Sequence, residues 1–102
     1  MITAIVRYAL PLEISKKECR AHFHKIAPGF QAVPGLIRKQ FIWSEGGIAG
    51  GVYQWDSRAA AESFYQGPWL EGIIARYGNA PLIDYFETFA VTDNVSGEVI
   101  IP

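Results

Sequence analysis

Arg7 is the only charged residue in the apolar run at residues 2–10. A guanidinium in such a strand needs a partner, because an unpaired buried charge is costly. One partner is a carboxylate on a neighbouring strand, Asp84 or Glu87, which would make a structural ion pair. The other is the oxyanion of a bound substrate. The residue pattern fits both interpretations, so Arg7 is a candidate catalytic residue.

His22 is the second candidate catalytic residue. It falls at the boundary of a stripe of apolar side chains at helical spacing, Cys19, Phe23, Ile26, Phe30 and Val33. Imidazole changes its protonation near neutral pH, so His22 could act as an acid, a base or a hydrogen-bond donor to a ligand. A surface or structural role is the alternative. His24 projects to the opposite side of the helix, where solvent is expected.

Aromatic side chains give the stronger indication of a ligand. Three predicted elements that converge in space carry Tyr53, Trp55, Tyr65, Trp69 and Tyr85. Such walls would suit a flat aromatic ligand, although an aromatic core without a ligand is the alternative for each residue taken alone. Gly50 and Gly51 fit either a β-bulge or the floor of a pocket.

Composition excludes several other functions. The formal net charge is −1 and no run of Lys or Arg occurs, so a nucleic-acid partner is not expected. One cysteine and two histidines, without a CxxC motif, provide neither a disulfide nor a metal site, and Cys19 is expected in the core. The chain has no apolar stretch of membrane-spanning length and no signal-peptide pattern, which predicts a cytoplasmic protein without a membrane partner.

The predicted elements follow the order strand, helix, strand, strand, helix, strand in a single domain over residues 1–102. Ser15 and Glu18 form a capping-box pattern at the first helix, and Pro28 should kink or break that helix before another short turn. Strands at residues 36–45 and 48–55 flank Gly46 and Gly47, a hairpin signal. A helical region interrupted before Pro68 precedes a last strand at residues 82–91. This order predicts an α+β, ferredoxin-like fold with an antiparallel sheet.

The predicted sheet is apolar on both faces. Ile37, Phe41 and Trp43 share one parity of the second strand, and Leu36 and Ile42 share the other. With 50% hydrophobic and only 19% charged residues, part of the surface should be buried against another chain. A homodimer with its sheets packed face to face would provide that cover. The tail, from about residue 93, could pair with the edge strand of a partner chain or remain free.

The sequence resembles the YdhR-type monooxygenases of the dimeric α/β-barrel superfamily, which also contains the antibiotic-biosynthesis monooxygenases. The matching segments are VPGLIRKQF at residues 33–41, WSE at 43–45, GGVYQW at 50–55 and the stretch from Phe64 to Trp69. The resemblance implies a homodimeric barrel. Haem-degrading members use an Asn and a His as a site pair, whereas this chain has Asn only at positions 79 and 94, which disfavours haem degradation.

The resemblance also implies an activity. It points to a monooxygenase that brings an aromatic or polyketide-like molecule together with O₂ without a metal or flavin cofactor. Such a protein needs a base, an oxyanion holder and a dry pocket, roles for which His22, Arg7 and the aromatic walls are the predicted residues. A non-catalytic small-molecule-binding dimer, and an isomerase or decarboxylase of the same fold, are the alternatives.

Overall fold

Helices cover one face of a four-stranded antiparallel sheet in the computed structural model, which describes residues 1–102. In chain order the elements are β1 (Ile2–Ala9), α1 (Lys16–Ile26), a 3₁₀ helix (Ala27–Ala32), β2 (Leu36–Ser44), β3 (Ile48–Trp55), α2 (Arg58–Phe64), α3 (Pro68–Tyr77), β4 (Leu82–Glu87), β5 (Val91–Asp93) and β6 (Glu98–Ile100). The strand order is β2-β3-β1-β4, so β1 is a central strand and the predicted ferredoxin-like order is confirmed.

Helix α1 begins and ends where the sequence predicts. The Ser15 hydroxyl accepts a hydrogen bond from the Glu18 backbone N–H at 3.1 Å. The same hydroxyl donates to the Glu18 carboxylate, also at 3.1 Å, so this carboxylate does not accept from the Ser15 backbone N–H as a capping box would have it. Pro28 lies in the first turn of the 3₁₀ helix, because it cannot continue the α-helical hydrogen-bond ladder. None of the helices has both the length and the apolar character that crossing a bilayer would require.

The β2–β3 hairpin and the two later helices are also confirmed. Gly47 has a φ of 79°, which glycine adopts without steric cost, and closes the turn between the strands. The Ser57 hydroxyl caps α2 by accepting from the Ala60 backbone N–H at 3.1 Å. Pro68 occupies the first turn of α3, where its missing N–H costs nothing. These local signals place α2 and α3 along the sheet without a long connection.

The two faces of the sheet have different surroundings. Alternate side chains of β1 and β3 point toward the helices and are buried, namely Ala4, Val6, Tyr8, Ala49, Tyr53 and Trp55. The opposite side, here called the open face, carries Arg7, Ile42, Ile48, Leu82 and Phe86, all of which are exposed. No helix covers these apolar side chains within the chain.

A β-bulge changes the predicted assignment of faces in β2. The pairing of β2 with β3 shifts register between Leu36 and Arg38, so Ile37 is an extra residue. Leu36 therefore packs on the core together with Phe41 and Trp43. Ile37 was predicted to share the side of Phe41 and Trp43 but is instead 48% exposed.

The predicted last strand is divided in two, and the tail pairs with itself. Strand β4 ends at Glu87, and β5 forms a separate two-stranded sheet with β6. The hydroxyls of Thr88 and Thr3 are 2.7 Å apart, and the Arg38 guanidinium donates to the Asp93 carboxylate at 3.3 Å. Thr3 of β1 and Arg38 of β2 both pair with Gln54 of β3, so the two residues lie at the same end of the sheet. The segment 88–93 therefore crosses one end of the open face.

Close approach of β1 and β3 generates a stability prediction. A Cβ added at Gly50 would collide with the carbonyl oxygen of Val6 on the neighbouring strand. We expect Gly50→Ala to lower the free energy of unfolding by about 3 kcal/mol or more, because backbone cannot move aside as a flexible side chain can. Gly29→Ala is the control, since a Cβ there meets nothing within 4 Å. Urea denaturation that gave equal stabilities for the two variants would contradict the prediction.

Candidate ligand cleft between the sheet and the helices

A cleft of about 290 Å³ lies between the covered face of the sheet and helices α1 and α3. Its aromatic walls are Tyr8, Phe23, Phe30, Tyr53, Trp69 and Tyr77. Three basic side chains, His22, Lys39 and Arg76, line the same space, and no carboxylate does. A cleft with this lining favours a flat ligand that carries negative charge.

His22 reaches the cleft from α1, on the same side as Ile26 one turn later. Burial, the positive charge of Arg76 and then that of Lys25 lower its pKa below the ordinary value. The ring is therefore neutral near pH 7 and can accept a proton from a ligand. His24, two residues later, is exposed, as the sequence predicts.

Arg76 enters the cleft from the last turn of α3 and was not among the residues predicted from the sequence. Trp69, Ile73 and Arg76 follow one another at i, i+4 and i+7, which places them on one side of the helix. That spacing could have indicated that Arg76 shares a helix face with Trp69. Arg76 is exposed, however, and an exposed arginine resembles an ordinary surface cation. Its charge is permanent at physiological pH, so it can hold an anionic group of a ligand.

Lys39 is the second cleft residue that sequence reasoning missed. Neighbours in a strand point to opposite faces, and Arg38 bonds to the tail on the open face while Lys39 points into the cleft. The Lys39 Nζ lies 3.6 Å from the ring centroid of Phe30, 3.8 Å from that of Phe41 and 4.5 Å from that of Tyr53. Burial lowers the pKa of Lys39 to about 7.

Gly51 makes room for the Lys39 side chain. A Cβ at this position would lie 2.9 Å from Lys39 Cε and 2.8 Å from Tyr53 Cε1. Neither of the two roles expected for the Gly50–Gly51 pair is found, because the pairing of β3 is regular at both glycines and neither of them lines the cleft. Any larger residue here would push the lysine chain or the tyrosine ring out of position.

Three buried tyrosines, Tyr8, Tyr53 and Tyr77, form the inner wall of the cleft. The rings of Tyr8 and Tyr77 stack with their centroids 4.1 Å apart. Burial raises the pKa of Tyr8 well above its ordinary value, and neighbouring Tyr77 adds to the shift. Burial likewise raises the pKa of Tyr53. Tyr8 and Tyr53 therefore keep their protons at neutral pH and can donate hydrogen bonds to a ligand.

The five predicted aromatic residues divide into two groups. Tyr53 and Trp69 line the cleft. Trp55 and Tyr65 are buried behind it, where the Trp55 indole N–H donates to the Tyr65 hydroxyl at 3.0 Å. Tyr85 contacts Tyr65 at 6.1 Å between ring centroids and lies under the Arg58 guanidinium at 4.3 Å. Trp55, Tyr65 and Tyr85 thus extend the aromatic core rather than the wall of this cleft.

Arg7 and His22 lie on opposite faces of the sheet. The Arg7 guanidinium is half-exposed on the open face and donates to the Asp84 carboxylate at 2.9 Å. This is the ion pair that the sequence offered as the alternative to a substrate contact. The structure does not bring Arg7 together with His22, so a joint catalytic role for these two residues does not fit one chain.

The two asparagines and the single cysteine do not line the cleft. The Asn79 side chain donates to the Tyr77 carbonyl at 3.1 Å, Asn94 lies between β5 and β6, and neither lines the cleft. The arrangement therefore provides no Asn–His pair. Cys19 is buried, and burial raises the pKa of its thiol, which keeps it protonated. No cluster of three potential metal ligands occurs.

Burial of the Lys39 amine predicts a pH dependence of stability. Its pKa falls from 10.5 to about 7 on folding, so between these pH values the unfolded chain binds more protons and stability rises with pH. We expect Lys39→Met to be more stable than the parent at pH 7, and the difference to shrink by about 3 kcal/mol toward pH 10. Urea denaturation at several pH values measures this. Lys16→Met is the control, and a pH-independent difference for Lys39→Met would contradict the prediction.

Comparison with known proteins supports the fold. The sequence matches no protein-family model and no curated protein. A protein of unknown function from Nitrosomonas europaea superposes with a TM-score of 0.72 at 14% identity, over 88% of this chain and 90% of that one. An antibiotic biosynthesis monooxygenase gives 0.66 at 12% identity, over 86% and 98%. SnoaB from Streptomyces nogalater, a cofactor-independent oxygenase, gives 0.60 at 16% identity, over 85% and 91%.

These similarities confirm the ferredoxin-like fold that the order of elements in the sequence predicts. Each covers most of both chains, while the sequence identities stay below 20%. The chain therefore has the ferredoxin-like fold of the antibiotic-biosynthesis-monooxygenase-like proteins.

Proposed function

We propose that this chain is a cofactor-independent monooxygenase for a phenolic or enolisable aromatic molecule of polyketide-like character. The observation that carries the proposal is the lining of the cleft, in which aromatic walls surround three basic side chains and no carboxylate. An electron-rich aromatic anion is the ligand that this lining suits best.

The walls account for binding of a planar ring. Trp69 from α3 and Tyr53 from β3 border the cleft on different sides. Burial of a flat ring between aromatic side chains removes apolar surface from water and adds stacking contacts. The site thereby orients the ligand before any proton moves.

The basic residues account for ionisation of the ligand. His22 is neutral and can take the proton of a phenol or enol, since burial and the charge of Arg76 lower its pKa. Arg76 keeps its charge and stabilises the resulting oxyanion. The protonated hydroxyl of Tyr8 lines the same space and can donate a hydrogen bond to that anion.

The anion then supplies the electrons that O₂ needs. In a phenolic substrate with an activated CH₂ group, one oxygen atom becomes the carbonyl oxygen of the product and the other leaves as water with the two hydrogens of the CH₂ group. The overall change is CH₂ + O₂ → C=O + H₂O, which balances without an external reductant. The apolar residues around the cleft, such as Ile26 and Ile73, limit access of water to the reactive anion.

The structural similarity to SnoaB supports this proposal at the level of reaction type. That protein is described as a cofactor-independent oxygenase. Arg7 has no part in the proposed chemistry, because its ion pair with Asp84 is on the open face.

Oxygen uptake tests the proposal. We expect the chelator-treated, flavin-free protein to raise O₂ consumption above the autoxidation rate of at least one member of a panel of hydroquinones, naphthols and anthrones. His22→Gln and Arg76→Met should each lower the rate at least tenfold, because they remove the proton acceptor and the oxyanion holder, a loss of about 1.4 kcal/mol or more of transition-state stabilisation.

His24→Gln is the matched control, since this histidine is on the same helix but exposed. It should leave the rate unchanged. Thermal stabilisation by a panel member without O₂ consumption would instead indicate a binding protein, and a product formed without O₂ would indicate an isomerase or decarboxylase. Either result would overturn the oxygenase proposal.

We also propose that two copies of the chain form a homodimer through their open faces. Leu82 and Phe86 on β4 are 66% and 52% exposed, and Ile42 and Ile48 extend the apolar surface across β2 and β3. Contact with a second copy would remove this apolar surface from water. The Arg7–Asp84 pair on the same face carries no net charge and does not oppose such contact.

Light scattering coupled to size-exclusion chromatography measures the assembly. We expect twice the 11.3 kDa mass of one chain for the parent and a shift toward a single chain for Phe86→Lys, which places a charge on the open face. Leu12→Lys should leave the mass unchanged, because Leu12 is fully exposed in a loop. A parent that elutes as a monomer would contradict the homodimer.

A further inference from the structure

Aromatic rings surround the amine of Lys39, and this residue also lines the cleft. Its Nζ lies within 4.5 Å of the ring centroids of Phe30, Phe41 and Tyr53. Lys39 lines the cleft and also borders a depression on the outer side of the 3₁₀ helix, next to Gln31 and Leu36. A small molecule in the cleft can therefore reach this nitrogen.

No group of the protein neutralises this amine. Lys39 has no ion pair and no side-chain hydrogen bond, and the cleft contains no carboxylate. The charged or titratable groups that share the cleft are His22 from α1, Arg76 from α3 and the tyrosines Tyr8, Tyr53 and Tyr77. An ammonium ion without an opposite charge is disfavoured in such surroundings, so the unprotonated amine, with a free electron pair, becomes accessible near neutral pH.

We propose that Lys39 is a covalent attachment site for small aromatic aldehydes and ketones, with which it forms an imine. The nitrogen lone pair attacks the carbonyl carbon and gives a carbinolamine. This intermediate loses its hydroxyl group as water, so that Lys39–NH₂ + O=CHR gives Lys39–N=CHR + H₂O. The protonated hydroxyl of Tyr53 and the ring N–H of His22 are the groups of the cleft available to assist departure of that water.

The surroundings of Lys39 define the class of carbonyl compound. The rings of Phe30 and Tyr53 favour an aromatic group next to the carbonyl. Arg76 on the same cleft favours an acidic substituent, such as a phenol hydroxyl. Salicylaldehyde combines these features and is small enough to serve as a probe. Imine formation consumes no O₂, so the inference stands apart from the proposed oxygenase activity.

Reductive trapping tests the inference. The protein is incubated with salicylaldehyde and sodium cyanoborohydride, which adds hydride to the imine and fixes it as a secondary amine, and labelled peptides are mapped by mass spectrometry. At pH 7 we expect Lys39 to be labelled at least tenfold faster than Lys16, Lys17 or Lys25. The lower pKa of Lys39, about 7, gives it a roughly thousandfold larger unprotonated fraction than an ordinary lysine at that pH.

The pH profile and two variants refine the test. Labelling of Lys39 should rise with a midpoint near pH 7. Gly51→Ala should slow labelling of Lys39 severalfold, because its Cβ would press on Lys39 Cε at 2.9 Å. Lys16→Met is the matched control, since Lys16 also lies over an aromatic ring, 4.7 Å from the centroid of Trp43, but is exposed.

The peptide map of the unaltered protein tests the proposed Lys39 site even if a variant folds poorly. Preferential labelling of Lys39 together with its near-neutral midpoint would support the site. Labelling of Lys39 no faster than that of the three other lysines, or with a midpoint near pH 10, would overturn it. Neither outcome depends on whether the protein consumes oxygen.

Discussion

The packing of large aromatic rings over small residues of the two central strands determines the rest of the structure. Ala4 and Ala49 are fully buried, and Gly51 lies on the same face of β3, so the middle of the covered face contributes little side-chain volume. The rings of Tyr53, Phe30 and their neighbours fill the resulting space. Part of the layer between the sheet and the helices remains open as the cleft.

Basic side chains have carboxylate partners on the open face of the sheet but not in the cleft. On the open face, Arg7 pairs with Asp84 and Arg38 pairs with Asp93, so each cation has its own carboxylate. The cleft contains basic groups without any carboxylate. Burial shifts such groups toward their neutral forms, and a bound anion would offset the positive charge that remains. The pKa values of His22 and Lys39 are lowered in this way, and Arg76 is the residue proposed to hold the anion.

Local sequence signals made the fold predictable. Recognition of the cleft residues, in contrast, required knowledge of how deeply each side chain is buried. The Ser15 cap, the Gly46–Gly47 turn and Pro68 each act within a few residues, and each lies where it was expected. Lys39 could not be recognised in this way, because its burial depends on Gly51 of the neighbouring strand and Phe30 of the 3₁₀ helix. The alternation of side chains along a strand predicts that Arg38 and Lys39 point to opposite faces of the sheet. It does not predict which of the two faces the helices cover.

The bulge at Ile37 has a consequence for the edges of the sheet. Strand β2 is an outer strand, and an extra residue near its beginning interrupts the regular spacing of its free backbone groups and increases its twist. At this edge a foreign strand therefore meets an irregular start rather than a long, flat row of backbone groups, which works against open-ended growth into fibres. The homodimer proposed above uses the open face instead, and contact between two identical faces closes after two copies.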